Sequence, residues 1–373
     1  MRLAAAALAL AWAVTLPSQA QQRPQLSDAE AARQTVADYL GDWTPAPLDT
    51  SAWRADFVVA ADGSGTHRSL QAALAAVPAS GRRHYIRIEP GIYREQICLR
   101  DKAPVSLWGA GRDAAAVLIV EGHYNAEPQG ANPCVAGSAP AGSVGTAGSA
   151  SVALFGNDIV LANLSIANDA LERVRTGLGY PPGAGETGGA QAVALLTEGD
   201  RIQLENVRLL GHQDTFYARG TGRVFVRASL IAGDVDFIFG NATLVIAEST
   251  ILSRAGRRQP GQDGHVLAPS TAPTQRLGFL ITGSRLIAEP GVPAGAISLG
   301  RAWDQGVPKG QWDAGRSPNG QALIRDSRLG PHLGPWAAST SRRPFSAAGN
   351  RLTEYRNGPL DPAEPGAAAE KTD

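Results

Sequence analysis

Six segments of this chain repeat one pattern, and the interval between them constrains the fold more than any other feature. They are IVLANLSI (Ile159 to Ile166), IQLENVRL (Ile202 to Leu209), VFVRASLI (Val224 to Ile231), LVIAESTI (Leu244 to Ile251), FLITGSRL (Phe279 to Leu286) and ALIRDSRL (Ala322 to Leu329). Each alternates apolar and polar residues, passes a polar kink and ends on a further apolar residue. Their starts lie 43, 22, 20, 35 and 43 residues apart. Two steps are single units of about 21 residues, the 43s are two units, and 35 is one unit with an inserted loop. Such a unit is too short for a strand–helix–strand crossover. It fits one coil of short strands joined by turns, and stacked coils make a parallel β-helix. Period-2 alternation then sends one set of side chains into the core. A β-sandwich would give turn signals every ~8–12 residues without keeping the longer interval. The expected fold is all-β, a solenoid. Ser27 to Leu40 reads as an opening helix that caps its end, with Glu30 completing a capping box on Ser27. Ser69 to Val77 reads as a second helix, stopped by Pro78.

The ends and the composition narrow the setting. Arg2, the apolar run Ala4 to Leu16 and the small residues Ser18 and Ala20 predict a secretory signal peptide over residues 1–20, cut after Ala20. The run is too short to span roughly 30 Å as an anchor. The expected location is secreted or periplasmic, with no membrane partner. Cys98 and Cys134 would then meet an oxidising compartment, either bridged or as two buried thiols. Lys and Arg equal Asp and Glu at 34 each, with no basic run, which argues against a nucleic-acid partner. Two cysteines exclude a disulfide-built scaffold, and the six histidines show no metal-ligand spacing. No metal or cofactor is expected. Residues 21–53 read as a helical or linker segment, 54–357 as the solenoid and 358–373 as a disordered Pro/Ala-rich tail. Glu127 to Ser149 and Asp169 to Gly189 break the pattern and read as projecting loops.

The repeat also aligns chemistry. Gln191 and Gln213 are 22 residues apart, and so are Asp214 and Asp236. Residues one period apart stack on neighbouring rungs about 4.8 Å apart. Arg301, 65 residues beyond Asp236, is close to three periods on and returns to the same face. Two adjacent carboxyls push their proton affinities apart, so one can serve as acid and the other as nucleophile. An Arg beside the nucleophile orients it through charge-assisted hydrogen bonds. Two side-chain amides can donate to a developing oxyanion. The set suits acyl transfer such as ester hydrolysis. Glycoside hydrolysis also uses paired carboxyls, and spacing alone leaves it open. His212, beside Gln213, reads as structural.

At these residues the sequence resembles the pectin methylesterase family. The motifs are GAQAVALL (Gly189 to Leu196), GHQDTFYARG (Gly211 to Gly220), GDVDFIFGNA (Gly233 to Ala242) and LGRAW (Leu299 to Trp303), with weaker matches at Val58 to Leu74, Glu89 to Ile97 and Gly145 to Val152. The resemblance implies a right-handed, single-stranded parallel β-helix. It also implies a bacterial-type esterase acting on methylated homogalacturonan, and a monomer. Asp236 matches the nucleophile, Asp214 the general acid/base, Gln191 and Gln213 the oxyanion donors, and Arg301 the residue holding the nucleophile. Trp303 matches a sugar-stacking aromatic and Thr146 a substrate-binding threonine. Tyr217 and Phe239 are expected to line the cleft, core packing being the other reading of Phe239. Ala302 stands where the family usually has Pro, which frees a backbone angle but leaves the neighbouring side chains. A relative using the same machinery on an acyl thioester, and a non-catalytic pectin-binding solenoid, are the competing functions.

Overall fold

The computed structural model describes residues 23–130, 134, 142–173, 189–255 and 264–361. Every pairing between its strands is parallel, and each strand pairs with the one a coil later. Ile202 pairs with Val224, Val224 with Leu244, Leu244 with Phe279 and Phe279 with Ala322, so the 20-, 22- and 35-residue steps are single coils as expected, while the two 43-residue steps, read from the spacing as two units, are also single coils lengthened by inserted connections. The coils build three faces. Two merge into one 17-stranded sheet because the long strands Val160–Asn168 and Ile202–Leu210 run round the bend between them. The third is a separate 8-stranded sheet that includes Phe216–Arg219, Val235–Gly240, Gly264–Pro269 and Ile297–Gly300. The chain is a parallel β-helix.

The polar kink of the repeat has a conformational cause. Asn163, Asn206, Ala228, Glu248, Gly283 and Asp326, the fifth residue of each segment, all have φ between 47° and 58°. One left-handed residue per coil turns the chain between two faces, and Asn, Asp and Gly tolerate that region best. The Ser that follows in four of them builds an internal ladder. The Ser229 Oγ accepts from the Val207 N–H at 3.0 Å, Ser249 from Ser229 at 3.2 Å, Ser284 from Ser249 at 3.1 Å and Ser327 from Ser284 at 3.2 Å. Buried backbone donors at the bend are satisfied this way.

Inside the coils runs one continuous apolar column, with Leu204, Val226, Ile246, Ile281 and Ile324 each at most 1% exposed. The segment Ser27 to Leu40 forms two helices, α1 (Asp28–Ala31) and α2 (Val36–Leu40), each with its own capping box, Ser27 with Glu30 and Thr35 with Asp38. Thr35 caps a new helix where a single one was expected. The pair packs Ala31, Tyr39 and Leu40 on the outer flank, against Phe225, Val245, Leu280 and Leu323. The cap of the solenoid is instead α3 (Leu70–Ala76). It lies against the end strands Phe57–Val59 and Ile97–Arg100 and inserts Leu70, Ala73 and Leu74 into the column.

The coil runs slightly past the expected boundary at 357. Gly358–Pro359 pairs with Arg328–Leu329, and the Leu360 N–H donates to the Leu329 carbonyl at 2.9 Å. The rest of the expected disordered tail, residues 362–373, lies outside the described residues, as do the expected signal peptide 1–20, residues 131–133 and 135–141 of the first projecting loop and residues 174–188 of the second. Cys98 and Cys134 are bridged, with Cα atoms 5.3 Å apart, which decides between the two alternatives the sequence left open.

Candidate active site

A cleft of about 530 Å³ opens on the 8-stranded face. All nine sequence-predicted site residues line it: Thr146, Gln191, Gln213, Asp214, Tyr217, Asp236, Phe239, Arg301 and Trp303. All but Thr146, which lies in the helix Gly145–Gly148, come from successive rungs, and Arg301 stands two rungs beyond Asp236 where the spacing suggested three, because inserted connections lengthen the coils between them. The Ala192 N–H donates to the Gln213 carbonyl and the Asp214 N–H to the Val235 carbonyl, both at 3.0 Å. Gln191 therefore sits a rung before Gln213, and Asp214 a rung before Asp236.

Both aspartates occupy the left-handed region, Asp214 at φ 65° and Asp236 at φ 49°. Asp accepts that conformation at lower cost than most residues because its short side chain can bond locally. Each stands at a strand entrance and is mostly buried, Asp214 7% and Asp236 8% exposed. Arg301 grips Asp236 in a fork: Nε donates to Oδ1 at 2.9 Å and Nη2 to Oδ2 at 2.6 Å. The pairing fixes the carboxylate plane as well as its position. Arg301 follows Gly300, whose φ of 154° and close approach to the Leu267 carbonyl leave no room for a Cβ. Ala302 is fully buried and its carbonyl accepts from the Thr340 N–H at 3.0 Å, so the Ala in place of Pro leaves Arg301 and Trp303 in the cleft.

Gln191 and Gln213 are half-buried. The Gln191 amide oxygen is buried without a hydrogen-bond partner among the described residues. Orphan polar atoms of this kind are rare in native proteins and call for a functional account. On the other side stands an aromatic wall. Tyr217 stacks on Phe239 with centroids 4.3 Å apart, and Trp303 meets them edge-on at 6.0 and 5.7 Å. The strand register that pairs Tyr217 with Phe239 makes this stack. Burial pushes the Tyr217 hydroxyl pKa up, with Arg219 opposing the shift.

Phe239, at 3% exposure, meets both of its expected readings: it lines the cleft and belongs to a packed cluster. His212 is buried and pairs through Nδ1 with Asp234 at 3.1 Å, away from the cleft lining.

Sequence reasoning missed Asn125, Arg219 and Thr340, which also line the cleft. Asn125 stitches the Thr146 helix to the Gln191 rung. Its N–H donates to the Gln191 carbonyl at 2.8 Å, its carbonyl accepts from Gly145 at 2.9 Å and its Nδ2 donates to Thr146 Oγ1 at 2.7 Å. Asn125 and Thr340 lie in connections without repeat register, so no spacing marks them. Arg219, two residues beyond Tyr217 on one strand, was within reach of the alternation rule.

A family model described as Pectinesterase matches residues 56–306. This chain belongs to the pectinesterase family. It is 37% identical to a pectinesterase of Ralstonia solanacearum, over 90% of each chain. Among solved structures it is similar to the pectin methyl esterase of the rice weevil, with a TM-score of 0.77 at 30% identity over 91% of this chain and 97% of that one. It is also similar to YbhC of Escherichia coli, with a TM-score of 0.76 at 27% identity over 91% and 95%. The cleft of this pectinesterase-family chain thus sits on the β-helix the family is built on.

Proposed function

We propose that the chain hydrolyses methyl esters of polygalacturonate to pectate and methanol through an aspartyl acyl-enzyme. The observation that carries this reading is the forked Asp236–Arg301 pair, standing beside Asp214 and two amides in one cleft. An Asp236 oxygen attacks the ester carbonyl carbon. The Gln191 and Gln213 amides donate to the oxyanion as it forms. Collapse breaks the bond to methoxide oxygen, which takes a proton from Asp214 and leaves as methanol. The anhydride joining Asp236 to the galacturonyl unit is then opened by water, whose proton returns to Asp214, and the galacturonate leaves as a carboxylate. Trp303 stacks on a sugar ring and Thr146 contacts the polymer.

The protein acts after export, as a monomer, in pectin breakdown. Two features support export: the apolar run Ala4 to Leu16, and the Cys98–Cys134 bridge, a bond typical of oxidising compartments. Among the described residues no helix is long and apolar enough to cross a membrane.

Methanol release from methylated pectin tests the reaction, with wild type against Asp236→Ala and an acyl thioester run in parallel. Release by wild type that vanishes in the variant is expected. No release by wild type, or a marked preference for the thioester, would sink the proposal.

A further inference from the structure

Asp304 is a buried carboxylate that the reaction does not use. It follows Trp303 directly, is 1% exposed and stays out of the cleft lining. A carboxylate withdrawn from water is costly unless charges and hydrogen bonds compensate it. Three side-chain donors converge on this one. The Ser339 hydroxyl donates to Oδ2 at 2.5 Å, the Ser341 hydroxyl donates to the same oxygen, and Arg343 Nη2 donates to Oδ1 at 2.8 Å. Ser339 and Ser341 flank Thr340, which does line the cleft. The Asp304 N–H adds a fourth bond, to Thr340 Oγ1 at 3.1 Å. All the donors on the carboxylate come from one tight turn, in which the Ser339 N–H donates to the Arg343 carbonyl at 2.9 Å and the Arg342 N–H to the Ser339 carbonyl at 2.8 Å. The Arg343 guanidinium lies 3.9 Å over the Trp312 ring, which backs the turn from outside.

We propose, on the pectinesterase reading of the cleft, that Asp304 is a positioning residue: it holds Thr340, and the turn that carries it, against the polymer. The Asp304 N–H occupies one acceptor site of the Thr340 hydroxyl and leaves that hydroxyl's proton to be donated into the cleft. The carboxylate fixes the backbone on both sides of Thr340 by taking the hydroxyls of its two neighbours. A fully bonded buried network of this kind admits one arrangement, and deleting any member loosens the rest. The nucleophile is held by other bonds. Arg301 forks onto Asp236, and its N–H donates to the Leu267 carbonyl of the preceding coil at 2.8 Å. Thr340 depends instead on Asp304 and on the Ala302 carbonyl, which accepts from its N–H at 3.0 Å. Loss of Asp304 therefore slackens the grip on the polymer and spares the ester chemistry, which is the pattern of a raised KM at constant kcat.

Steady-state methanol release from methylated pectin, well below Tm, is measured for wild type, Asp304→Asn, Ser341→Ala, Thr340→Val and the double variant Asp304→Asn/Thr340→Val. Asp304→Asn should raise KM about tenfold, the cost of a lost charge-assisted hydrogen bond, with kcat within about twofold of wild type. Ser341→Ala, which keeps the carboxylate paired with Arg343, should raise KM a few-fold with little change in Tm. In the Thr340→Val background Asp304→Asn should move KM far less than it does alone, because residues acting through one another are not additive. A purely structural Asp304 gives the opposite pattern: less folded enzyme, hence a lower apparent kcat and a lower Tm, with KM unmoved. That result overturns the proposal, and so do equal rises in KM with and without Thr340. Should Asp304→Asn fail to fold, Ser341→Ala decides, and an unchanged KM there overturns it as well. Absent methanol release by wild type would sink the esterase reading and this proposal with it, whereas release with KM unmoved in the variants sinks the proposal alone.

Discussion

Arg301 and Asp236, 65 residues apart in the chain, are joined by two parallel hydrogen bonds of 2.9 and 2.6 Å across the floor of the cleft. A lysine cannot reproduce that fork, because its ammonium is a point charge on a flexible stem. Arg301→Lys should lower kcat by about 10²-fold, the scale of a misplaced reacting group, with Tm little changed. Methanol release and a thermal melt check this. An unaltered kcat would remove Asp236 from the reaction.

The two amides face a different demand, since they act only once charge has developed. Gln191→Ala and Gln213→Ala should each lower kcat by about 10²–10³-fold while KM moves little. Loss confined to KM would mean that the amides bind ground-state substrate and not the oxyanion.

Phe239 and Trp303 share the aromatic wall but differ in burial, and their variants should separate accordingly. Phe239→Ala removes a ring packed at 3% exposure and should destabilise the fold by about 3 kcal/mol. Trp303→Ala, at a half-buried position, should raise KM for pectin with a much smaller change in Tm. Equal effects of both on Tm would put Trp303 in the core as well.

The Cys98–Cys134 bridge closes a sequence separation of 36 residues and carries the segment that leads to Thr146. Cys134 also packs in the cluster that holds Tyr217 and Phe239. Cys98→Ser/Cys134→Ser should cost about 3–4 kcal/mol by loop-closure entropy and raise KM. Reductant should mimic the double variant. A reduced wild type that keeps its Tm and KM would show that the bridge is dispensable.

His332 is buried and its Nε2 has no partner among the described residues. Burial pulls its pKa down from 6.5 to about 4. Such a group contributes stability that is complete above the unfolded pKa and is lost as pH falls from 6.5 towards 4, up to about 3 kcal/mol. His332→Leu should flatten the fall in Tm across that window. An equally steep fall in the variant would assign the acid sensitivity elsewhere.

Much of this was legible in the sequence because a solenoid writes its register into residue spacing. The 22-residue offsets of Gln191 with Gln213 and Asp214 with Asp236 translate directly into neighbouring rungs. The polar kinks at Asn206 and Glu248 were visible as breaks in alternation, though not as left-handed bends. What stayed hidden lies outside the repeat. Thr35 ends one helix and caps another, a local competition that the apolar pattern of residues 27–40 does not reveal. The pairing of Cys98 with Cys134 depends on a loop path. Asn125 and Thr340 reach the cleft from connections whose lengths follow no period.

The same spacing separates two kinds of heritable change. Lengthening a connection between strands leaves the carboxyls where they are, as the 35-residue step from Leu244 to Phe279 does while keeping Leu244 paired with Phe279. Losing one residue inside the coil between Asp214 and Asp236 would instead reverse which side chains face inward for the rest of that turn. Evolution is thus free to resculpt the rim that meets the polymer, while the floor that breaks the ester admits almost no change of length.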